Sequence, residues 1–227
     1  MVSRSKRIFG MIKKELPGLE LCRDMLVVVP TERIVRGFLI ETTITKDRVY
    51  LWKVVTPLHR PMRHVILNYS DRIFPKSRED IYIRKDAYRE PADLIRALVS
   101  THMGYLQSIR QPRDFLRHID RMMGNESDHL RFDLALTYFR IGKVRECQVI
   151  LQMLDAKVAR TREQELQSRR TKHQIRNPFD DDIEQASREI RCGPDAFAAL
   201  LDQWESRNIE TLGLQASRLP VVQSLHK

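Results

Sequence analysis

Residues 128–156, DHLRFDLALTYFRIGKVRECQVILQMLDA, carry two apolar stripes at helical spacing on either side of a turn. Leu134, Ala135 and Tyr138 share one face of a first helix. Val144, Cys147, Leu151 and Leu154 share one face of a second. Between them stands Ile141-Gly142-Lys143, where Gly142 takes the left-handed conformation that ends a helix. Ala135 and Cys147 are small where two helix backbones must approach closely. The spacing therefore predicts a helical hairpin.

The helices continue on both sides of it. From Pro91 onward the hydrophobic period is that of a helix. Asp93 to Ile109 places Leu94, Ile95, Leu98, His102 and Tyr105 or Leu106 on one side. Pro112 opens the next helix, with Phe115, Leu116, Ile119 and Met122 or Met123 as its stripe, ended by Gly124-Asn125. Beyond the hairpin, residues 155–176 are nearly all polar, which reads as a solvated helix or a connector. Asp180 to Ile190 starts with acids that suit the helix dipole. Asp195 to Arg207 is a last helix with Phe197, Leu200, Leu201 and Trp204 as its apolar face. The tail from residue 215 has no period and is expected to be loose.

The stretch 128–156 resembles one tetratricopeptide-type repeat. In that family the first helix carries Trp, Leu, Gly or Ala, and Tyr; those places here hold Arg131, Leu134, Ala135 and Tyr138. The turn glycine matches Gly142, and the small residue of the second helix falls on Cys147. The later positions fall on Leu151 and Leu154. The large opening residue is missing, and the closing proline position holds Ala159. The likeness spans about one repeat period of roughly 34 residues, with no clean copy one period up or down. The resemblance implies a scaffold that binds other macromolecules. An ordinary helical hairpin obeys the same packing rules.

Before residue 90 the pattern is different. Ile8, Met11, Ile12 and Leu16 sit at helical spacing and predict an amphipathic first helix, rather than a secretory signal. Pro17-Gly18 breaks it. Met25 to Val29, Arg33 to Thr45, Arg48 to Thr56 and Val65 to Tyr69 read as four strands. With Lys46-Asp47 as the turn, Phe38 faces Val55, Ile40 faces Lys53, Thr42 faces Leu51 and Ile44 faces Val49. That face is the predicted core side; the other pairs Leu39 with Val54, Glu41 with Trp52 and Thr43 with Tyr50. Gly37 marks a bulge candidate. The fold class is therefore α+β. An antiparallel β-meander with a covering helix occupies residues 1–88, a helical-hairpin region 89–214 and a loose tail 215–227.

Charge divides along the same line. Residues 1–90 hold 19 Lys and Arg against 11 Asp and Glu, a net +8, and the remainder is +2. A basic half attracts polyanions or acidic protein surfaces. No apolar run approaches the length of a membrane span. Cys22, Cys147 and Cys192 are odd in number and far apart, which favours a reducing cytoplasm and supports neither a disulfide framework nor a zinc site.

There is no phosphate-cradling glycine loop, no H-E-x-x-H and no G-x-S-x-G. His59 and His64 are poorly spaced for a metal. Asp180-Asp181-Asp182 is more simply a helix cap than a metal cluster. Glu41, Asp47 and Lys53 are the one trio that matches a nuclease, and the register turns Glu41 away from Lys53. Two features suit binding. The first is the basic loop His59, Arg60, Arg63 and His64 beside the strand aromatics Tyr50 and Trp52; the bland reading puts the aromatics beneath the first helix. The second is Arg169, Arg170 and Lys172. The resulting expectation is a cytoplasmic, non-catalytic adaptor with a protein partner and no cofactor or metal. The alternative is a nucleic-acid-binding protein using the basic sheet and loop 57–64.

Overall fold

The computed structural model of the chain describes residues 3–43, 48–62, 69–75, 77, 80–82, 89–121, 127–167 and 177–214. Two compact units emerge. The first comprises residues 1–58, 62–119 and 208–227, and the second 59–61 and 120–207. The α+β class holds, with an antiparallel sheet preceding a helical region.

The sheet unit opens with helix α1, Arg4–Glu15, capped by the Ser3 hydroxyl, which accepts from the Lys6 amide. Ile8, Phe9 and Ile12 are its buried stripe, and each contributes about 1.5–3 kcal/mol by leaving water. Strands β1 (Leu19–Cys22), β2 (Met25–Val28), β3 (Ile34–Thr42), β4 (Arg48–Pro57) and β5 (Asp71–Ile73) follow in meander order, all antiparallel, and β6 (Ile81–Tyr82) also pairs with β4. β1, β5 and β6 are too short to show a period and have no counterpart in the sequence reading. The strand expected at Val65 to Tyr69 lies outside the described residues except for Tyr69, which sits in a turn.

The β3–β4 register differs by two residues from the expected one. Phe38 faces Lys53, Ile40 faces Leu51 and Thr42 faces Val49, and the Thr43 amide donates to the Arg48 carbonyl. The expected Lys46-Asp47 turn lies outside the described residues. A two-residue slip returns every side chain to the same face, so hydrophobic pattern cannot distinguish the two registers. The expected core face is correct: Phe38, Ile40, Val49, Leu51 and Val55 are all buried. Gly37 makes no bulge. It pairs regularly with Val27 and Val54, and a Cβ there would stand 2.4 Å from the Leu26 carbonyl oxygen. Its role is close backbone approach.

Helices α2 (Arg89–Ser108) and α3 (Pro112–Asp120) lie in the sheet unit, so the boundary at 88/89 is moved to the end of α3. The reason lies in α2, whose contacts are with α1 and strands β2, β3 and β4. Its buried residues are Ala92, Ile95, Val99 and Leu106, while Leu94 is exposed, so the face is rotated from the expected one. On α3, His118 is buried between Tyr105, whose hydroxyl is 2.7 Å from Nδ1, and the Tyr69 carbonyl, 3.1 Å from Nε2. The carbonyl can only accept, so Nε2 carries the proton and Nδ1 accepts from the tyrosine. The opposite side of the sheet packs Met25, Val27, Val35 and Val54 against Ile209, Leu212 and Leu214.

The helical unit contains α4 (Asp128–Arg140), α5 (Val144–Gln167), α6 (Pro178–Cys192) and the first part of α7 (Pro194–Leu212). The hairpin at its start ends as its sequence requires. Gly142 has φ +84°, the Lys143 amide donates to the Tyr138 carbonyl at 2.9 Å, and the Gly142 amide donates to Phe139 at 2.9 Å. This pair of bonds is a Schellman motif. Ala135, Cys147, Leu151 and Leu154 are buried, while Leu134 and Tyr138 are only half-buried. The fully buried face of α4 also includes Phe132, Leu136, Asp133 and Thr137. Burial pushes the Cys147 thiol up to about 12, so it stays protonated and serves as a small packing group. α5 continues as a helix to Gln167, which settles the polar stretch that far in favour of a solvated helix.

Candidate functional site

The helical unit holds a buried polar network built on α4. Arg60 reaches Asp133, with Nη1 at 2.6 Å from Oδ2, and the two side chains are 8% and 0% exposed. The second Arg60 nitrogen lies 3.0 Å from His129 Nδ1. A guanidinium can only donate, so His129 accepts at Nδ1 and carries its proton on Nε2. Burial, then the Arg60 charge, holds the His129 imidazole below its usual range, against the pull of Asp128. The His129 ring stacks on Phe179 at 3.8 Å between centroids, and Arg60 lies 5.8 Å over that same ring. His59 is 3.0 Å from the Thr137 hydroxyl, which itself donates to the Asp133 carbonyl at 2.6 Å. His59 therefore donates from Nε2.

This geometry corrects the exposed basic loop expected from the sequence. His59 and Arg60 are 0% and 6% exposed, and they belong to the helical unit. A charged residue takes such a place only when paired, and Asp133 supplies the pair. Tyr50 and Trp52 lie in the sheet unit, both half-buried. Trp52 packs beside the cluster containing Ile209 and Leu212, and its Nε1 donates to Glu41 at 2.8 Å. α1 instead packs against α2, and Tyr105 of α2 receives Lys53 from the other side of β4. The aromatics are therefore not beneath the first helix. Arg63, His64, Arg169, Arg170 and Lys172 lie outside the described residues.

Arginine does stack on Tyr50, but it is Arg72, 3.5 Å from the ring centroid. Arg72 also lies 4.6 Å from the Phe74 ring, and Arg48 sits 5.2 Å over Tyr82. One carboxylate, Asp80, serves Arg72 at 2.6 Å and Arg48 at 3.3 Å. Phe74 and Tyr82 are 50% and 54% exposed. The signal available in the sequence was the alternation Arg48, Tyr50, Trp52 on one strand face and Arg72, Phe74 on the next. Lys53 is engaged separately, 2.7 Å from Asp71. Glu41 and Lys53 thus have different partners on opposite faces of the sheet, and Asp47 lies outside the described residues.

A cavity of about 390 Å³ opens beside the helical network, lined by Asp128, His129, Lys157, Thr161, Phe179 and Asp180. Partial burial, and the neighbouring carboxylates Asp181, Glu165 and Glu184, raise the Asp180 carboxyl against the influence of Arg162. Among the described residues no group of three His, Cys, Asp or Glu is placed to hold a metal ion. Among them, too, no helix is long and apolar enough to cross a membrane. Comparison with known protein families, with curated proteins and with solved structures finds no match to this chain.

Proposed function

We propose that this is a non-catalytic protein-binding adaptor of the cytoplasm, with the helical unit as its scaffold. The observation that carries the reading is the outer face of α5. Val149 and Met153 are 59% and 46% exposed, one turn apart. The opposite face of the same helix buries Cys147, Leu151, Leu154 and Val158. Val149 and Met153 stand among Arg145, Gln152 and Arg160 on that outer face, two apolar side chains that the helix's own core does not use. Large exposed side chains of this kind, adjacent on a rigid element, suit an anchor in a partner's groove. The glycine-ended hairpin, with the small residues Ala135 and Cys147 buried in one cluster, supports tetratricopeptide-like packing. The free thiols, with Cys192 exposed, suit a reducing compartment. The test is affinity capture of the full chain from its host, with and without nuclease, beside a Val149→Glu and Met153→Glu double variant. A protein recovered in near-equal amount, indifferent to nuclease and lost with the double variant, is the expected result. Recovery unchanged by the variant refutes the assignment to α5.

A further inference from the structure

A second surface lies on the sheet unit. Register puts its groups on one face: Tyr82 stands opposite Arg48, and Arg72 opposite Trp52, while Tyr50 lies between Arg48 and Trp52 on β4. Phe74 follows two residues beyond Arg72. The other face of β4 turns Val49 and Leu51 into the core. Phe74 and Tyr82 are the most exposed aromatic side chains among the described residues, and each carries a guanidinium against its ring. Single exposed apolar residues are ordinary, but paired aromatics on a pleated surface are not placed there by core packing.

The aromatic rings and the basic character of this half of the chain narrow the occupant. Arg48 and Arg72 share the carboxylate of Asp80, and Glu41, opposite Tyr50 on the same face, accepts from Trp52, so two guanidinium groups are matched by two carboxylates. The face belongs to the half of the chain with net charge +8. Aromatic rings flanked by guanidinium groups, in a basic half of the chain, suit the stacking of successive unpaired bases and contact with their phosphates. In a duplex the base faces are already stacked on one another, so this surface would meet only phosphates. We propose that the β4–β5–β6 face binds single-stranded nucleic acid. Bases stack on Phe74 and Tyr82, Arg48 meets a phosphate, and Tyr50 and Asp80 hold Arg72 in place.

The test is fluorescence anisotropy with the full chain, freed of nucleic acid, and a labelled single-stranded oligonucleotide of roughly a dozen nucleotides. The same sequence as duplex, and an acidic peptide of equal charge, are compared over about 50–200 mM salt. Tighter binding of the single strand is expected. Phe74→Ala with Tyr82→Ala should weaken it at least about tenfold with an unchanged salt slope. Arg48→Gln should lower the slope by about one and weaken all sequences alike. Both variants change exposed side chains, and unchanged circular dichroism confirms the fold. Absence of binding, equal binding of duplex, or indifference to the aromatic pair overturns the proposal. Preferential binding of the acidic peptide overturns it too and marks the face as a protein dock.

Discussion

Removing the Asp133 carboxylate should unfold the helical unit far more readily than its single ion pair suggests. Asp133 is fully buried and the Arg60 side chain is 8% exposed. In Asp133→Ala the guanidinium stays in that interior without its counter-charge. Breaking a buried pair from one side costs about 3–5 kcal/mol. Against a total stability of roughly 5–15 kcal/mol, that is a large fraction. For a unit of this size each kcal/mol moves the midpoint by about 4–8 °C, so a fall of roughly 12–40 °C is expected. Replacing both partners, Arg60→Met with Asp133→Leu, removes two desolvated charges together and should recover most of the loss. The chain has two tryptophans. Trp204 is buried in the helical core and Trp52 belongs to the sheet unit. Urea unfolding followed by fluorescence in a Trp52→Phe background therefore reads the helical unit. A cost below about 1 kcal/mol for the single variant, or a double variant no more stable than the single, refutes the reasoning.

Other substitutions test other joints. Gly37→Ala would drive a methyl to 2.4 Å from the Leu26 carbonyl and should cost about 3 kcal/mol, read as a loss in denaturant midpoint. Gly104, in α2 with nothing within 4 Å, should gain about 0.5–1 kcal/mol on change to Ala, whereas Gly142, at φ +84°, should lose about 1–2 kcal/mol. Asn208 donates to the Leu58 carbonyl at 2.7 Å and accepts from the Met62 amide at 3.1 Å, all buried. Asn208→Ala orphans both backbone groups and should cost about 2–5 kcal/mol in the sheet unit, measured by urea unfolding. The lowered His129 value has a definite sign: as pH falls below 6.5, the unfolded chain takes up the proton before the folded one. Stability of the helical unit should be full above that pH and decline below it until the folded imidazole is also protonated. Thermal unfolding across this window should show a shallower acid decline for His129→Gln.

The parts of the fold with strong period were legible from residues alone. The α4–α5 hairpin announced itself through Gly142 and the stripe on α5, and β3 and β4 through alternation. Register was not legible, because a two-residue slip conserves both faces. β5 and β6, three and two residues long, are below the length at which alternation can be seen. α2 carries more apolar residues than one face can bury, so its orientation, and with it the boundary of the sheet unit, needed the packing partners. Asp133 illustrates a general limit: a carboxylate in a helix reads as solvent-facing until the arginine that neutralises it, seventy-three residues away in sequence, is known. That same pairing removed Arg60 from the set of exposed binding residues. The arginine that does stack on Tyr50 is Arg72, on β5, and the exposed Phe74 and Tyr82 lie just beyond β5 and at the end of β6, two strands the sequence did not reveal.

Amide hydrogen exchange of the full chain, measured alone and with the protein captured alongside it, tests the adaptor reading most directly. Slowed exchange along α5 around Val149 and Met153, absent in the Val149→Glu and Met153→Glu variant, is the expected result. A stable complex whose formation leaves α5 exchange unchanged would contradict it.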